Sequence, residues 1–185
     1  SAGDVLQLWA WNYNSLEVTK GVVLRGNSTT TAIVDGGSSD NAIEIKSNSV
    51  TLENLTLQGS SDSILFAGNY NDLRLQNLTI SSAESDNGIH FDGTSSSTID
   101  NVTVNSTKRK AVLFEDVSSV TVKNSFFKNS STSHGFEISD VSSAVTLDNV
   151  FIHNSGYSGS SAYGLYVSGS SSITIKNGTK VGNSK

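Results

Sequence analysis

The chain has no cysteine, no proline and no methionine among its 185 residues. Without cysteine there are no disulfides and no thiolate metal sites. That suits a secreted protein held together by regular hydrogen bonding. Without methionine the chain reads as processed or excised, and it contains no signal peptide, as a mature or excised chain would not. No apolar run approaches membrane-spanning length, which argues against membrane insertion. Net charge is −5, and the only basic cluster is Lys108-Arg-Lys110. A nucleic-acid partner is therefore not expected. Serine, threonine, asparagine and glycine dominate what is present. Composition alone would suggest disorder, but the order of the residues does not.

Six asparagines recur in one local setting: Asn54, Asn77, Asn101, Asn124, Asn149 and Asn177. The gaps between them are 23, 24, 23, 25 and 28 residues. A fixed period of this size with strand patterning marks a stacked coil, which needs only a thin apolar lining per turn. In each segment the residues two and four before the asparagine are nearly all Val, Ile or Leu, as in Val50-Thr-Leu-Glu-Asn54. Most of those one and three after it are apolar too. Alternation with period 2 gives a strand with one buried face. The apolar phase flips across the asparagine, so the chain must bend there. The left-handed region, which asparagine tolerates, supplies such a bend. Stacked at about 4.8 Å, the side-chain amides can hydrogen-bond from coil to coil.

A second repeat precedes each asparagine segment. Its first inward column is read as Ile43, Ile64, Ile89, Val112, Phe136 and Leu165. The second is read as Ile45, Phe66, Phe91, Phe114, Ile138 and Val167, with Phe66, Phe91 and Phe114 stacked on successive coils. The strand positions and the asparagine turn resemble the right-handed parallel β-helix of the pectate-lyase-like superfamily, over nearly the whole chain. The resemblance implies an all-β, single-stranded parallel β-helix (β-solenoid) of about seven to eight coils, each with three short strands and an asparagine ladder. One domain is expected: residues 1–36 as N-terminal coils, 37–181 as regular coils and 182–185 as a tail, within a larger protein or assembly. Members usually begin with a capping helix, which this chain lacks. The superfamily hosts lyases, hydrolases, epimerases, tailspikes and non-catalytic surface proteins, so the resemblance speaks for the fold and not for an activity.

Polysaccharide sites of the superfamily usually lie on the outer face of the first strand. The outward columns there are read as Glu44, Leu65, His90, Leu113, Glu137, Tyr166 and as Lys46, Ala67, Asp92, Glu115, Ser139, Ser168. Asp92 and Glu115 fall on adjacent coils, where a carboxylate pair can serve acid/base chemistry or hold Ca2+, the one cofactor considered. His90 and Glu137 complete the catalytic candidates. Outward positions of a soluble β-helix must be polar in any case, and the full motif set of polygalacturonases is absent. So is an arginine beside the acidic cluster, as pectate lyases would have. Trp9, Trp11 and Tyr166, with Tyr13, Tyr157 and Tyr163, are candidates for a carbohydrate or interface surface. Sequons at Asn27, Asn105 and Asn129 fall in loops open to glycosylation, whereas those at ladder positions follow from the fold.

The expectation from sequence is a non-catalytic, extracellular or cell-surface β-helix: a structural or adhesive segment of a surface protein, filament or fibre. End-to-end self-association would cover its open ends. The alternative is a polysaccharide-active enzyme (lyase, hydrolase or epimerase type) or an acidic-sugar-binding module on the outer face of the first strand.

Overall fold

The computed structural model describes residues 3–38, 41–59, 62–81, 87–129, 133–155, 163–169 and 172–184. Among them every secondary-structure element is a strand. The strands form two parallel sheets wound into a solenoid, one of thirteen strands and one of seven. Eight strands of the larger sheet stack in a single row, from Asp4–Leu8 to Ile173–Lys176. The smaller sheet runs from Leu16–Val18 to Leu165–Ser168. The two strands that flank the asparagine belong to the same large sheet, which folds round the bend; in Thr51–Gln58 and Arg74–Ser81 they merge into one element. Six turns carry the asparagine bend. The two N-terminal turns stack against them without it, so about six turns are regular.

All six asparagines take left-handed φ values between +46° and +57°. This conformation turns the strand while keeping both flanking apolar pairs inward. The amides link successive turns. Asn77 Nδ2 donates to Asn54 Oδ1 at 3.1 Å, Asn101 to Asn77 at 2.7 Å, and Asn149 to Asn124 at 3.0 Å. The ladder is interrupted twice. Asn124 donates to Asp100 Oδ1 at 3.0 Å instead of to Asn101, and Asn177 to Asp148 Oδ1 at 2.7 Å instead of to Asn149. In both cases the turn below has aspartate just before its asparagine, and a carboxylate outcompetes a neutral amide as acceptor. A second left-handed column, Ser49, Asp72, Ser96 and Ser119, sits at the start of the same strands. Its residue types vary, which is why no sequence period marks it.

The core is a set of columns running the length of the solenoid. One reads Leu6, Leu24, Leu52, Leu75, Ile99, Val122, Leu147 and Ile175, each in register with the next. Polar residues break the apolar pattern where a backbone N–H needs an acceptor. Ser97 Oγ accepts from Leu73 N–H at 3.0 Å, Ser125 Oγ from Val102 N–H at 3.1 Å, and Thr179 Oγ1 from Val150 N–H at 3.1 Å. Each hydroxyl satisfies a group that would otherwise be buried unpaired.

One strand of the smaller sheet departs from the expected register. Leu65 pairs with Ile43 and Ile89, while Phe66 pairs with Glu44 and His90. Leu65 and Ala67 are therefore inward and fully buried, and Phe66 is outward and half-buried. The expected three-phenylalanine stack does not form. Phe91 and Phe114 stack inside, with centroids 5.4 Å apart and planes within 9°, and Phe136 meets Phe114 edge-on at 5.0 Å. Ile64-Leu-Phe-Ala67 is an uninterrupted apolar run, so its period-2 phase is ambiguous, and a one-residue slip inverts every side chain. Pairing with both neighbouring turns selects the phase.

Candidate functional site

The outer face of the smaller sheet carries the acidic candidates. With the corrected register its first outward column is Glu17, Glu44, Phe66, His90, Leu113, Glu137 and Tyr166. Asp92 and Glu115 are register partners on adjacent turns, and Glu115 is followed by Ser139. His90 Nε2 lies 2.7 Å from Glu115 Oε2, and its ring meets the edge of Phe66 at 5.2 Å. His90 and Glu115 are thus in contact, with Asp92 beside Glu115 as its register partner. Glu137 does not join it: it sits opposite Leu113, and its carboxylate is 3.0 Å from Lys110 Nζ. At the N-terminal end of this face Lys46 bridges Glu17 and Glu44, each at 3.0 Å. Hydrogen bonding to Glu17 first, then to Glu44, raises the Lys46 ammonium above its ordinary value. Among the described residues no three His, Asp or Glu side chains converge as metal ligands do.

Towards the C-terminal end, Tyr166 stacks on His134 with centroids 4.4 Å apart and planes within 8°. Tyr163 lies 5.6 Å from His134, also parallel, and its backbone N–H donates to His134 Nδ1 at 3.1 Å. Burial pushes His134 below the ordinary imidazole value; Glu137 opposes the shift and Lys110 adds to it. Neither His134 nor Lys110 was a sequence candidate. Both sit just before a small residue at the start of a strand, as do Asn87 before Gly88 and Asn41 before Ala42. That recurring polar-then-small dipeptide was the signal available. Tyr157 and most of the loop at 154–163 lie outside the described residues, as does the Asn129 side chain.

Trp9 and Trp11 are exposed, flanking the first corner of the solenoid, and Trp9 N–H donates to the Tyr13 hydroxyl at 3.0 Å. Tyr13 itself packs against the core.

A groove of about 450 Å3 runs along the asparagine bend on a different face. Asn54, Asn77 and Asn101 line its base, with Thr79 and Thr103 from the strands beyond. The segment Asn27–Thr29 forms a wall. This wall is held from within. Ser28 Oγ bonds the hydroxyls of Thr30 and Thr31, each at 2.9 Å, and the Thr56 hydroxyl donates to Thr29 O. Gly26 lets the turn come close, since a Cβ there would collide with the Asn54 carbonyl oxygen.

Residues 13–180 match the family profile described as right handed beta helix region, and the chain belongs to that family. No curated protein matches the sequence. Among solved structures the chain is similar in fold to a pectin methylesterase from Yersinia enterocolitica. The TM-score is 0.52 at 9% identity, over 92% of this chain and 85% of that one. At such identity the likeness shows the fold alone.

Proposed function

We propose that this β-helix is a non-catalytic structural or adhesive segment of an extracellular surface protein, filament or fibre, whose end faces are completed by further β-stacked turns. One observation carries the reading. The inward column that is closed throughout the middle is open at both ends, with Leu6 57% and Ile175 55% exposed. At the C-terminal end the inward residues Val167 and Val181 are exposed too. Both ends expose the one column of Leu6 and Ile175, through which the last turn of one copy can meet the first turn of another. Such head-to-tail contacts do not close on themselves and generate rods. Unpaired strand edges add hydrogen-bonding capacity to the same faces. The acidic residues fit a scaffold as well, since Glu115 is engaged by His90 and Glu137 by Lys110. Sedimentation and negative-stain microscopy of the chain test this. Rods one solenoid wide that lengthen with concentration are expected, and Leu6→Glu should abolish them without unfolding the protein. A monomer at every concentration contradicts the stacking.

A second reading rests on His90, Asp92 and Glu115: a polysaccharide-active or acidic-sugar-binding surface on the outer face of the smaller sheet. A histidine held by one carboxylate beside another is a usable acid/base set. The fold neighbour is a pectin methylesterase, which brings pectin-type polymers into the screen. The double variant Asp92→Asn, Glu115→Gln should lose any such activity. Undiminished turnover of a polymer that the protein degrades would remove this site.

A further inference from the structure

We propose that the groove along Asn54, Asn77 and Asn101 binds a neutral saccharide. The argument begins with the ladder's hydrogen bonds. The three amides form a closed run of two links, Asn77 to Asn54 and Asn101 to Asn77. Among the described residues, because Asn124 turns to Asp100, no amide donates to Asn101 Oδ1, and because Asn54 is the first of the run, its Nδ2 has no acceptor. The run therefore ends in an unpaired acceptor and an unpaired donor, and both line the same groove. The hydroxyls of Thr79 and Thr103 open into it with no protein partner among the described residues. A row of donors and acceptors on a rigid floor is the pattern that recognises hydroxyl groups.

Charge decides the class of sugar. No ionisable side chain lines the groove. The charged residues that flank it are paired with each other: Arg25 with Glu53, and Lys123 with Asp100 at 3.2 Å. A uronate would find no cation to meet its carboxylate, whereas a neutral pyranose brings no charge to desolvate. The wall at Asn27–Thr29, braced by its own hydroxyl bonds, fixes the width before a ligand arrives, which lowers the ordering cost of binding. The site lies away from the outer face of the smaller sheet, and it is independent of whether the ends stack. The neighbouring turns make the contrast plain: at the position of Thr79 and Thr103 they carry Phe126 and Phe151, whose rings stack on each other at 5.3 Å.

The test is calorimetric titration of protein made in a bacterial host, so that Asn27 carries no glycan. The probes are cellotetraose, mannotetraose, tetra-N-acetylchitotetraose and tetragalacturonate. At least one neutral tetrasaccharide is expected to bind, with tetragalacturonate at least tenfold weaker. Thr79→Val with Thr103→Val keeps β-branched side chains on the strands and should weaken binding by at least about tenfold, as loss of two hydrogen bonds implies. Glu115→Gln, on the other face, should change nothing. In the unmutated protein, amide shifts on titration should concentrate at residues 27–29, 77–79 and 101–103. Absence of neutral-sugar binding, equal binding by the double threonine variant, loss of binding with Glu115→Gln, or shifts centred elsewhere would each overturn the proposal.

Discussion

Leu75 and Leu6 are the same residue in the same column, three turns apart, and they live in different environments. Leu75 is fully buried, with Leu52 on one side and Ile99 on the other. Leu6 has Leu24 on one side and no described residue on the other, and is 57% exposed. At the opposite end Ile175 repeats the pattern. In this architecture burial is a property of the neighbouring turns and not of the residue. Stability is therefore close to a sum of turn-to-turn interfaces, each contributed by two partners.

The largest expected effect tests that contrast directly. Leu75→Ala removes side-chain packing against both neighbouring turns and should cost about 2–5 kcal/mol. Leu6→Ala, an identical chemical change, should stay within about 0.5 kcal/mol in dilute protein. Urea unfolding of the two variants reads the difference; similar losses would mean that the open end is packed in solution. Next in size comes the ladder. Asn77→Ala removes amide links to two turns and puts a Cβ-bearing residue without amide support into the left-handed region, at a cost of about 1–3 kcal/mol. Asn177→Ala breaks a single link, to Asp148, and should cost less in a thermal melt. Equal melting temperatures for wild type and Asn77→Ala would show that the bend is held by other contacts.

The smallest effect concerns pH near the C-terminal end. His134 is held below its ordinary value of 6.5, chiefly by burial, with Glu137, Lys110 and the two tyrosine rings around it. The unfolded chain then takes up the proton first. The stability this group provides is full above about pH 6.5 and declines as pH falls from 6.5 towards the lowered folded value. Protonation also removes the acceptor that Nδ1 offers to Tyr163 N–H. Melting temperatures measured at several pH values should show a slope in that window, and His134→Gln should flatten it.

How much of this was legible in the sequence differs between the two sheets. In the larger sheet six of the turns have an asparagine to fix their phase, so the columns through Leu52, Leu75 and Ile99 could be read residue by residue. The smaller sheet has no such marker. Where polar residues alternate, as in Gly88-Ile-His-Phe91, the reading was correct; where they do not, at Ile64-Leu-Phe-Ala67, it slipped by one and turned Phe66 inward. The pairing of Asp92 with Glu115 followed from the register of two well-marked strands. The contact of His90 with Glu115, and the removal of Glu137 by Lys110, depend on side-chain rotamers across turns, which a column diagram does not contain. The breaks in the ladder had a legible cause after the fact: Asp100 and Asp148 each precede a ladder asparagine, and each captures the amide of the next turn. The groove was not legible, because it arises where the loop after Gly26 leans over a bend that lies a full turn away in sequence.

The most direct measurement is amide hydrogen exchange of Asp4–Leu8 and Ile173–Lys176 as a function of protein concentration, with Thr51–Gln58 and Arg74–Ser81 as internal references. If neighbouring turns supply burial and the end faces are completed by stacking, the terminal strands should exchange rapidly in dilute protein and gain protection as concentration rises, while the internal strands stay protected throughout. Terminal strands equally protected at all concentrations, or unprotected at all of them, would contradict the account.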